Sequence, residues 1–561
     1  MTSFADVVRQ TFRAQPLWWC LCLMASIWII GMFLPVMEID AAQYASIATD
    51  MHVNRSFLQV QFSGQDYLDK PPLLFWLSAF SFDLFGVHNW SYRLPSMLSM
   101  ILGLWSVFHL AKRLYQREQI ALLSTVAYAS LQSTFLFMHD IRTDTLLTNL
   151  VIFAIWQGIR YLDDRHWRHL TGLAAGIALA MLAKGPIGLM VPLIVLLTHT
   201  WWTRQWQVLR QGRTWLIPLI VLIILSLMLY GLYVQYDLHP EKEVLGRTGV
   251  SGLYFYFWEQ SFGRITGASS WQDETGADYF FTNSLWSLLP WTLVAWAALI
   301  RELLRTWKHR SADDRRDWVH PSLAIGILVP LIAFTFSHYK LPHYMFVVTP
   351  LQALLIGAWI EPSNASHPAF TWTTRLQYFI IILLMAGIGI VQWIFPASAW
   401  HWILLVGFAA ISLLVLRRIH WMHRAWRWSL FAIVTLNFWL IIHFYPTLMR
   451  YQLTSEAIDY MREEKLELDY TAFLGVSRFG LDFFAKQPVQ YTEHWDPAIT
   501  QFKYVLATDK GLQEMDRNSM HYQILKIFQG FPVSRLNAKF LNPKTRHTQY
   551  NFAYLVALNQ K

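Results

Sequence analysis

A small set of ionisable side chains falls in the short joints of an otherwise apolar chain: Asp40, Asp69, Lys70, Asp140, Arg142, Asp144, Lys184, His338, Lys340 and His343. Carboxylates set beside lysine and arginine suit an anionic ligand held next to a general base or an electrostatic stabiliser. Three of the lysines share a local pattern, each preceding a proline turn: Lys70-Pro71-Pro72, Lys184-Gly185-Pro186 and Lys340-Leu341-Pro342. Each residue also has a plainer reading. Asp40 alone suits a helix terminus, and the lysines suit anchors whose stems lie along apolar surface. Asp144, two residues after Arg142, suits a satisfied ion pair at a helix start. His338 and His343 suit an interface, and Arg93-Leu94-Pro95-Ser96 suits a helix cap. What favours chemistry is the order and the side: these residues collect in joints where lysine is otherwise scarce.

The elements that must position them are helices in a membrane. The chain has 561 residues, 55% hydrophobic, only 14% charged and with 29 Trp, whereas soluble domains carry about a quarter charged residues. The apolar residues form blocks of roughly 15–22 separated by charged or proline-containing joints. The pattern predicts spans near 17–37, 94–111, 119–137, 146–161, 169–183, 185–200, 214–235, 285–300, 321–337, 342–360, 376–395, 401–416 and 428–444, about thirteen in all.

Basic residues fill alternate joints: Arg9 and Arg13; Lys112, Arg113 and Arg117; Arg160, Arg165 and Arg168; Arg204, Arg210 and Arg213; Arg301 to Arg316; Arg375; Arg417 to Arg427. Positive charge stays cytoplasmic, so the N-terminus is expected inside and the C-terminus outside. The net charge of +9 is accounted for by these joints and needs no nucleic-acid partner. The first span is too long and apolar for a cleavable signal and is expected to stay. Cys20 and Cys22 both lie within it, which excludes a disulfide framework.

The expected organisation is a transmembrane domain over 1–445, with outer loops at 38–93 and 236–284, and a small α/β domain over 446–561. Within the first loop, 41–52 reads as a polar helix and 72–87 as a helix lying in the interface. In the C-terminal part, 472–476, 489–491, 504–507 and 552–556 read as strands, with a helix over 455–465.

The same residues carry a family likeness. Glu38-Ile39-Asp40 with Tyr44, Tyr67-Leu68-Asp69-Lys70-Pro71-Pro72-Leu73, Arg142-Thr143-Asp144, Lys184-Gly185-Pro186 and Lys340-Leu341-Pro342-His343-Tyr344 resemble the motifs of GT-C glycosyltransferases. The group is that of aminoarabinose transferases and protein O-mannosyltransferases, and the likeness is greater to its bacterial branch. It covers roughly residues 15–360 by motif. It implies a polytopic α-helical membrane enzyme of the bacterial inner membrane, with its active site facing the periplasm. The implied donor is a sugar on a polyprenyl phosphate, usually undecaprenyl phosphate. The implied acceptor is lipid A, another envelope glycan or a protein. By motif position, Asp40 and Asp144 are the catalytic acidic positions. Lys70, Arg142, Lys184, Lys340 and Tyr344 fall near the donor phosphate, and Tyr44, Tyr67 and His343 near substrate. Asp69 stands where relatives tend to have Glu, a position linked to a divalent metal, with His239 as the one candidate partner. No cofactor is otherwise implied. Lys-Leu-Pro-His-Tyr replaces the Lys-Leu-Pro-Thr-Tyr of aminoarabinose transferases, which leaves the sugar open.

The expected chemistry is a single displacement with inversion at the sugar carbon. Asp40 would be general base toward a hydroxyl acceptor, or would orient a phosphate acceptor that is already ionised. One rival is a flippase for lipid-linked sugars. The near absence of ionisable residues at mid-span argues against ion coupling, and no P-loop motif is present. A second rival is an inactive scaffold, against which the presence of both Asp40 and Asp144 counts.

Overall fold

The computed structural model describes residues 16–263, 266, 275–308, 321–361 and 368–558. Each of the thirteen apolar blocks read from sequence contains a helix. Among the described residues, seven helices are long and apolar enough to cross a membrane, and an eighth if a bent pair counts as one span. That pair, Glu118–Ala129 and Gln132–His139, bends by 56° where Ser130 and Leu131 interrupt it. Leu17–Gly31, Ile187–Trp202 and Pro321–Thr335 are shorter apolar helices. The chain is a multi-pass membrane protein.

Burial separates a packed centre from a lipid-facing rim. Thr143–Asp164 and the Pro342–Ile360 stretch are almost wholly buried. By contrast Phe379, Ile382, Ile390, Ile403, Val406 and Leu414 on Pro368–Ile394 and Ala399–Arg417 are exposed, as lipid-facing surface must be when no helix covers it. Small residues permit the closest approaches. At Gly357 a side chain would collide with Ser124 of the facing helix.

Outside the bundle, Asp40–Asn54 forms the polar helix and Leu73–Phe85 the interfacial one, with Leu77, Phe80, Leu84 and Phe85 exposed on the latter. A two-stranded hairpin, β1 (Gln61–Phe62) and β2 (Gln65–Asp66), lies between them. The C-terminal part is a five-stranded sheet in the order β4-β3-β5-β7-β6. Its strands are β3 (Thr471–Leu474), β4 (Gln490–Thr492), β5 (Tyr504–Thr508), β6 (Tyr522–Gly530) and β7 (Asn551–Leu558). β4, β3 and β5 run parallel, while β7 pairs antiparallel with both β5 and β6. The sequence pattern does not predict β6, because it is an edge strand exposed along most of its length and lacks clean alternation.

The sheet region packs directly on the segment around Asp40–Asn54. Phe62 and Phe479 stack at 6.0 Å. Phe483 N donates to Ser46 Oγ at 3.3 Å, and Glu38 N donates to the Gln452 side chain at 2.9 Å. Residues on the Asp40–Asn54 helix are thereby held between the bundle and the sheet.

Candidate active site

Asp40 is the first residue of the Asp40–Asn54 helix, and Arg142 precedes Thr143–Asp164 in extended conformation. An acidic residue in the first turn of a helix suits the positive end of the helix dipole. The two side chains meet: Arg142 Nη1 is 2.5 Å from Asp40 Oδ2. Arg142 Nε also donates to Asp140 Oδ2 at 3.0 Å, and Nη1 lies 3.5 Å from His343 Nδ1. Burial works against the Arg142 charge, but Asp140 and Asp40 outweigh it and hold the guanidinium protonated more firmly than usual.

One turn deeper, Asp144 pairs with Lys184, the last residue of Trp167–Lys184. His343 Nε2 lies 3.8 Å from the other Asp144 oxygen, so His343 sits between Asp144 and Arg142. The Lys184 ammonium also sits 4.9 Å from the centre of the Tyr344 ring. The turn that follows is tight: Gly185 has φ +91°, and Gly188 lies so close to Ala180 and Met181 that a side chain there would meet backbone at 2.5 Å.

Asp40 and Asp144 are not equivalent. The Asp40 side chain is 39% exposed and that of Asp144 only 4%. Asp40 is therefore open to an incoming group, whereas Asp144 is largely buried between Lys184 and His343 at the edge of the groove.

A groove opens beside these residues. It has a cavity volume of about 140 Å³ and is open to the surroundings. At one end it is lined by Lys70, Asp144, Lys184, Gln260 and Tyr344. Its walls are apolar: Ile187, Met190 and Ile194 from one helix, and Val329, Ala333 and Phe334 from Pro321–Thr335. Lys70 Nζ is 2.7 Å from Asp69 Oδ2, and Gln260 donates to the Asp69 carbonyl. The Lys70 and Lys184 ammoniums thus each face the groove beside one carboxylate. A groove with cations at one end and hydrocarbon along its walls can hold a phosphate that carries a long apolar tail.

Tyr44 and Tyr67 both pack on Phe75, at 5.7 and 6.0 Å between ring centres. Tyr44 is 4% exposed. Burial first, then Tyr67, Asp40 and Asp69, push its hydroxyl well above the usual range, so it stays neutral. It forms the wall beneath Asp40. Lys340 does not line the groove. Its ammonium donates to the carbonyls of Thr275 and Gly276, at 2.7 and 3.1 Å, and so tethers an outer loop to the Lys-Leu-Pro-His-Tyr turn. His338 is exposed. Gln260 is the groove residue the sequence pattern does not reveal, because a lone glutamine in an aromatic segment carries no signal.

The donor set at Asp69 does not fit a divalent metal. Asp69 faces Lys70, and His239 pairs with Glu241 at 3.0 Å. Among the described residues, no group of three or more His, Cys, Asp or Glu side chains could hold a metal ion.

Known proteins resemble this chain in sequence and fold. The family model for dolichyl-phosphate-mannose-protein mannosyltransferases matches residues 69–230. An undecaprenyl phosphate-alpha-4-amino-4-deoxy-L-arabinose arabinosyl transferase of Pseudomonas aeruginosa is 25% identical over 427 residues, covering 68% of this chain and 71% of its own. A protein of the same description from Pseudomonas fluorescens is 27% identical over 339 residues, covering 58% and 53%. The crystal structure of ArnT from Cupriavidus metallidurans bound to undecaprenyl phosphate superposes with a TM-score of 0.68 at 17% identity, covering 95% of this chain and 97% of that one. At that identity the match speaks for the fold, which is the helical bundle with a small outer sheet found here. Fold, relatives and family model agree: the chain is a membrane glycosyltransferase that is similar to the ArnT proteins and shares their fold.

Proposed function

We propose that this glycosyltransferase moves a sugar from a polyprenyl phosphate, undecaprenyl phosphate in a bacterial inner membrane, to an envelope acceptor on the periplasmic face, with lipid A as the first acceptor to test. The observation that carries the reading is the groove: Lys70 and Lys184 stand at its polar end, apolar helices form its walls, and Asp144 joins it through His343 to the Asp40–Arg142 pair. Relatives named for undecaprenyl phosphate-aminoarabinose transfer support a donor of the same class. The basic joints of the sequence support a periplasmic site.

In this reading the lipid tail lies along Ile187–Trp202 and Pro321–Thr335, and the phosphate rests between Lys70 and Lys184. As the sugar carbon is attacked, negative charge grows on the leaving phosphate oxygen. Preorganised cations in a partly dry groove stabilise that charge more than water does. Asp40, exposed at the mouth, meets the acceptor from the other side of the sugar. It removes the proton of a hydroxyl acceptor as general base, or orients an acceptor phosphate that needs no deprotonation. Arg142 holds the Asp40 carboxylate aimed at the mouth. The sugar configuration inverts in one displacement.

The test is a transfer assay on the purified full-length chain with synthetic undecaprenyl-phosphate sugars and lipid A, scoring the new glycoside by mass. Product with the unaltered chain and none with Asp40→Asn supports the proposal. Movement of unmodified donor between leaflets without any product points to a flippase instead.

A further inference from the structure

Asp40 is delivered by residues 32–39, which link Leu17–Gly31 to Asp40–Asn54 without forming a helix themselves. Backbone carbonyls in such a stretch need donors from elsewhere. Two buried side chains, distant in sequence from it and from each other, supply them. Arg93, on Asn89–Tyr115 and 1% exposed, donates to Leu34 O at 2.6 Å, to Met32 O at 3.1 Å and to Pro35 O at 3.1 Å. Gln452, also 1% exposed, takes the next stretch from the opposite side. Its Nε2 donates to Val36 O at 3.0 Å, and its Oε1 accepts from Glu38 N at 2.9 Å.

Arg93 does a second thing. Its Nε donates to His139 O at 3.1 Å, directly before the Asp140-Ile141-Arg142 turn. One guanidinium thus holds the approach to Asp40 and the approach to Arg142 together. Its hydrogen bonds all go to carbonyls, and among the described residues it forms no ion pair. A buried charge is costly unless hydrogen bonds compensate it. Five donors in a fixed planar fork are what this set of carbonyls requires, and an ammonium cannot reproduce the geometry.

We propose that Arg93 and Gln452 are positioning residues for the transfer step. Together they fix the backbone that presents Asp40 to the acceptor, and Arg93 sets its separation from Arg142. Gln452 stands just ahead of Leu453–Glu463, so the C-terminal part of the chain takes a direct share in shaping the active site. Neither residue touches the donor groove, whose polar end is built from Lys70, Lys184 and Tyr344. Loss of either therefore slows turnover without loosening the donor. This inference rests on the reading of Asp40 as the acceptor-side carboxylate.

The experiment uses the purified full-length protein with Gln452→Met, Arg93→Met and Arg93→Lys. It reads kcat, donor KM, the affinity for undecaprenyl phosphate, and hydrogen exchange over residues 36–43 against residues 143–164. For Gln452→Met the expected result is a fall in kcat of about tenfold or more. Donor KM and undecaprenyl phosphate affinity stay within about twofold, and exchange is faster in 36–43 only. Arg93→Lys recovers part of what Arg93→Met loses. If Arg93→Met does not accumulate as folded protein, Gln452→Met decides the matter. A Gln452→Met enzyme with unchanged kcat and unchanged exchange in 36–43 overturns the proposal. So does a parallel loss of turnover and donor affinity with exchange rising everywhere, which marks a merely structural role. If the unaltered chain transfers no sugar, the reading of Asp40 fails. The exchange contrast then still decides whether Arg93 and Gln452 hold this segment.

Discussion

Arg142 Nη1 lies 2.5 Å from Asp40 Oδ2, although 102 residues separate them in sequence. The contact joins the first outer loop to the start of Thr143–Asp164. It also makes the Asp40 carboxylate one of two that share a single guanidinium, with Asp140 as the other. Removing Asp40 leaves Arg142 paired with Asp140, so the site keeps its shape while losing its exposed carboxylate. Asp40→Asn is expected to lower kcat by about 10²–10⁴-fold if the acceptor is a hydroxyl, with donor KM little changed. A loss in donor affinity of the same size as the loss in kcat would contradict the assignment.

Lys184 and Lys70 are expected to act on the donor. Lys184→Met removes a cation from the groove and leaves Asp144 buried without its main partner. The affinity for undecaprenyl phosphate should fall by about tenfold or more, and the enzyme should also lose stability, because a buried charge without a partner is costly. Lys184→Met with Asp144→Asn should recover stability but not donor affinity. Titration of undecaprenyl phosphate into each variant, beside thermal unfolding in the same detergent, separates the two effects.

The Lys184 turn depends on a close helix approach. A Cβ at Gly188 would stand 2.5 Å from the Ala180 carbonyl carbon and 2.6 Å from Met181 N. Both are backbone atoms, so the two helices must part to admit it. Gly188→Ala is expected to cost about 1–3 kcal/mol of stability and to raise donor KM by moving Lys184. An unchanged unfolding temperature and unchanged KM would show that the hairpin yields elsewhere.

Two buried carboxyl groups where the outer elements meet give the protein a pH dependence. Burial pushes Glu38 up to about 7, against the lowering effect of hydrogen bonds from Ser477 and Thr454. Burial likewise pushes Asp482 up to about 7, against its hydrogen bond from Val489 N and helped by nearby Asp50. Both are raised above their unfolded values, so the neutral form belongs to the folded state. Stability is therefore greatest below about pH 4, is lost as pH rises toward 7, and is flat above it as far as these two groups are concerned. Each contributes on the order of 3 kcal/mol across that window. Unfolding temperatures between pH 5 and 8 should fall with rising pH. Glu38→Gln and Asp482→Asn should each flatten the slope and raise the plateau above pH 7. A slope untouched by both substitutions would contradict the account.

The helices were legible because bilayer thickness fixes their length and composition, and every apolar block read from sequence contains one. Their ends were less so. Met32 to Met37 are mostly apolar, so hydropathy runs the first span on to residue 37, whereas the helix stops at Gly31. Pro35 has no N–H to offer Gly31 and disfavours helix at Leu34, and the carbonyls beyond the helix are taken by Arg93 and Gln452, a long-range pairing invisible to a window. Asp40, Arg142, Asp144, Lys184 and His343 were found as a set because they are charged or polar in joints where charge is rare. Their pairing was not, since no local pattern links Asp40 to Arg142 or His343 to Asp144. Lys340 shows the limit from the other side. Its motif marks it as a phosphate ligand, but its ammonium is engaged by Thr275 and Gly276. β6 was missed because an exposed edge strand lacks the alternation that burial imposes.

The central claim is that this chain makes a glycosidic product and that Asp40 drives the step. Its most direct test is mass spectrometry of lipid A, total lipids and envelope glycans from cells with the chain, without it, and with Asp40→Asn. The account predicts a fixed sugar-sized mass on one acceptor class, present only with the unaltered chain. No such mass in any fraction, with lipid-linked sugar accumulating on one leaflet when the chain is removed, would contradict it.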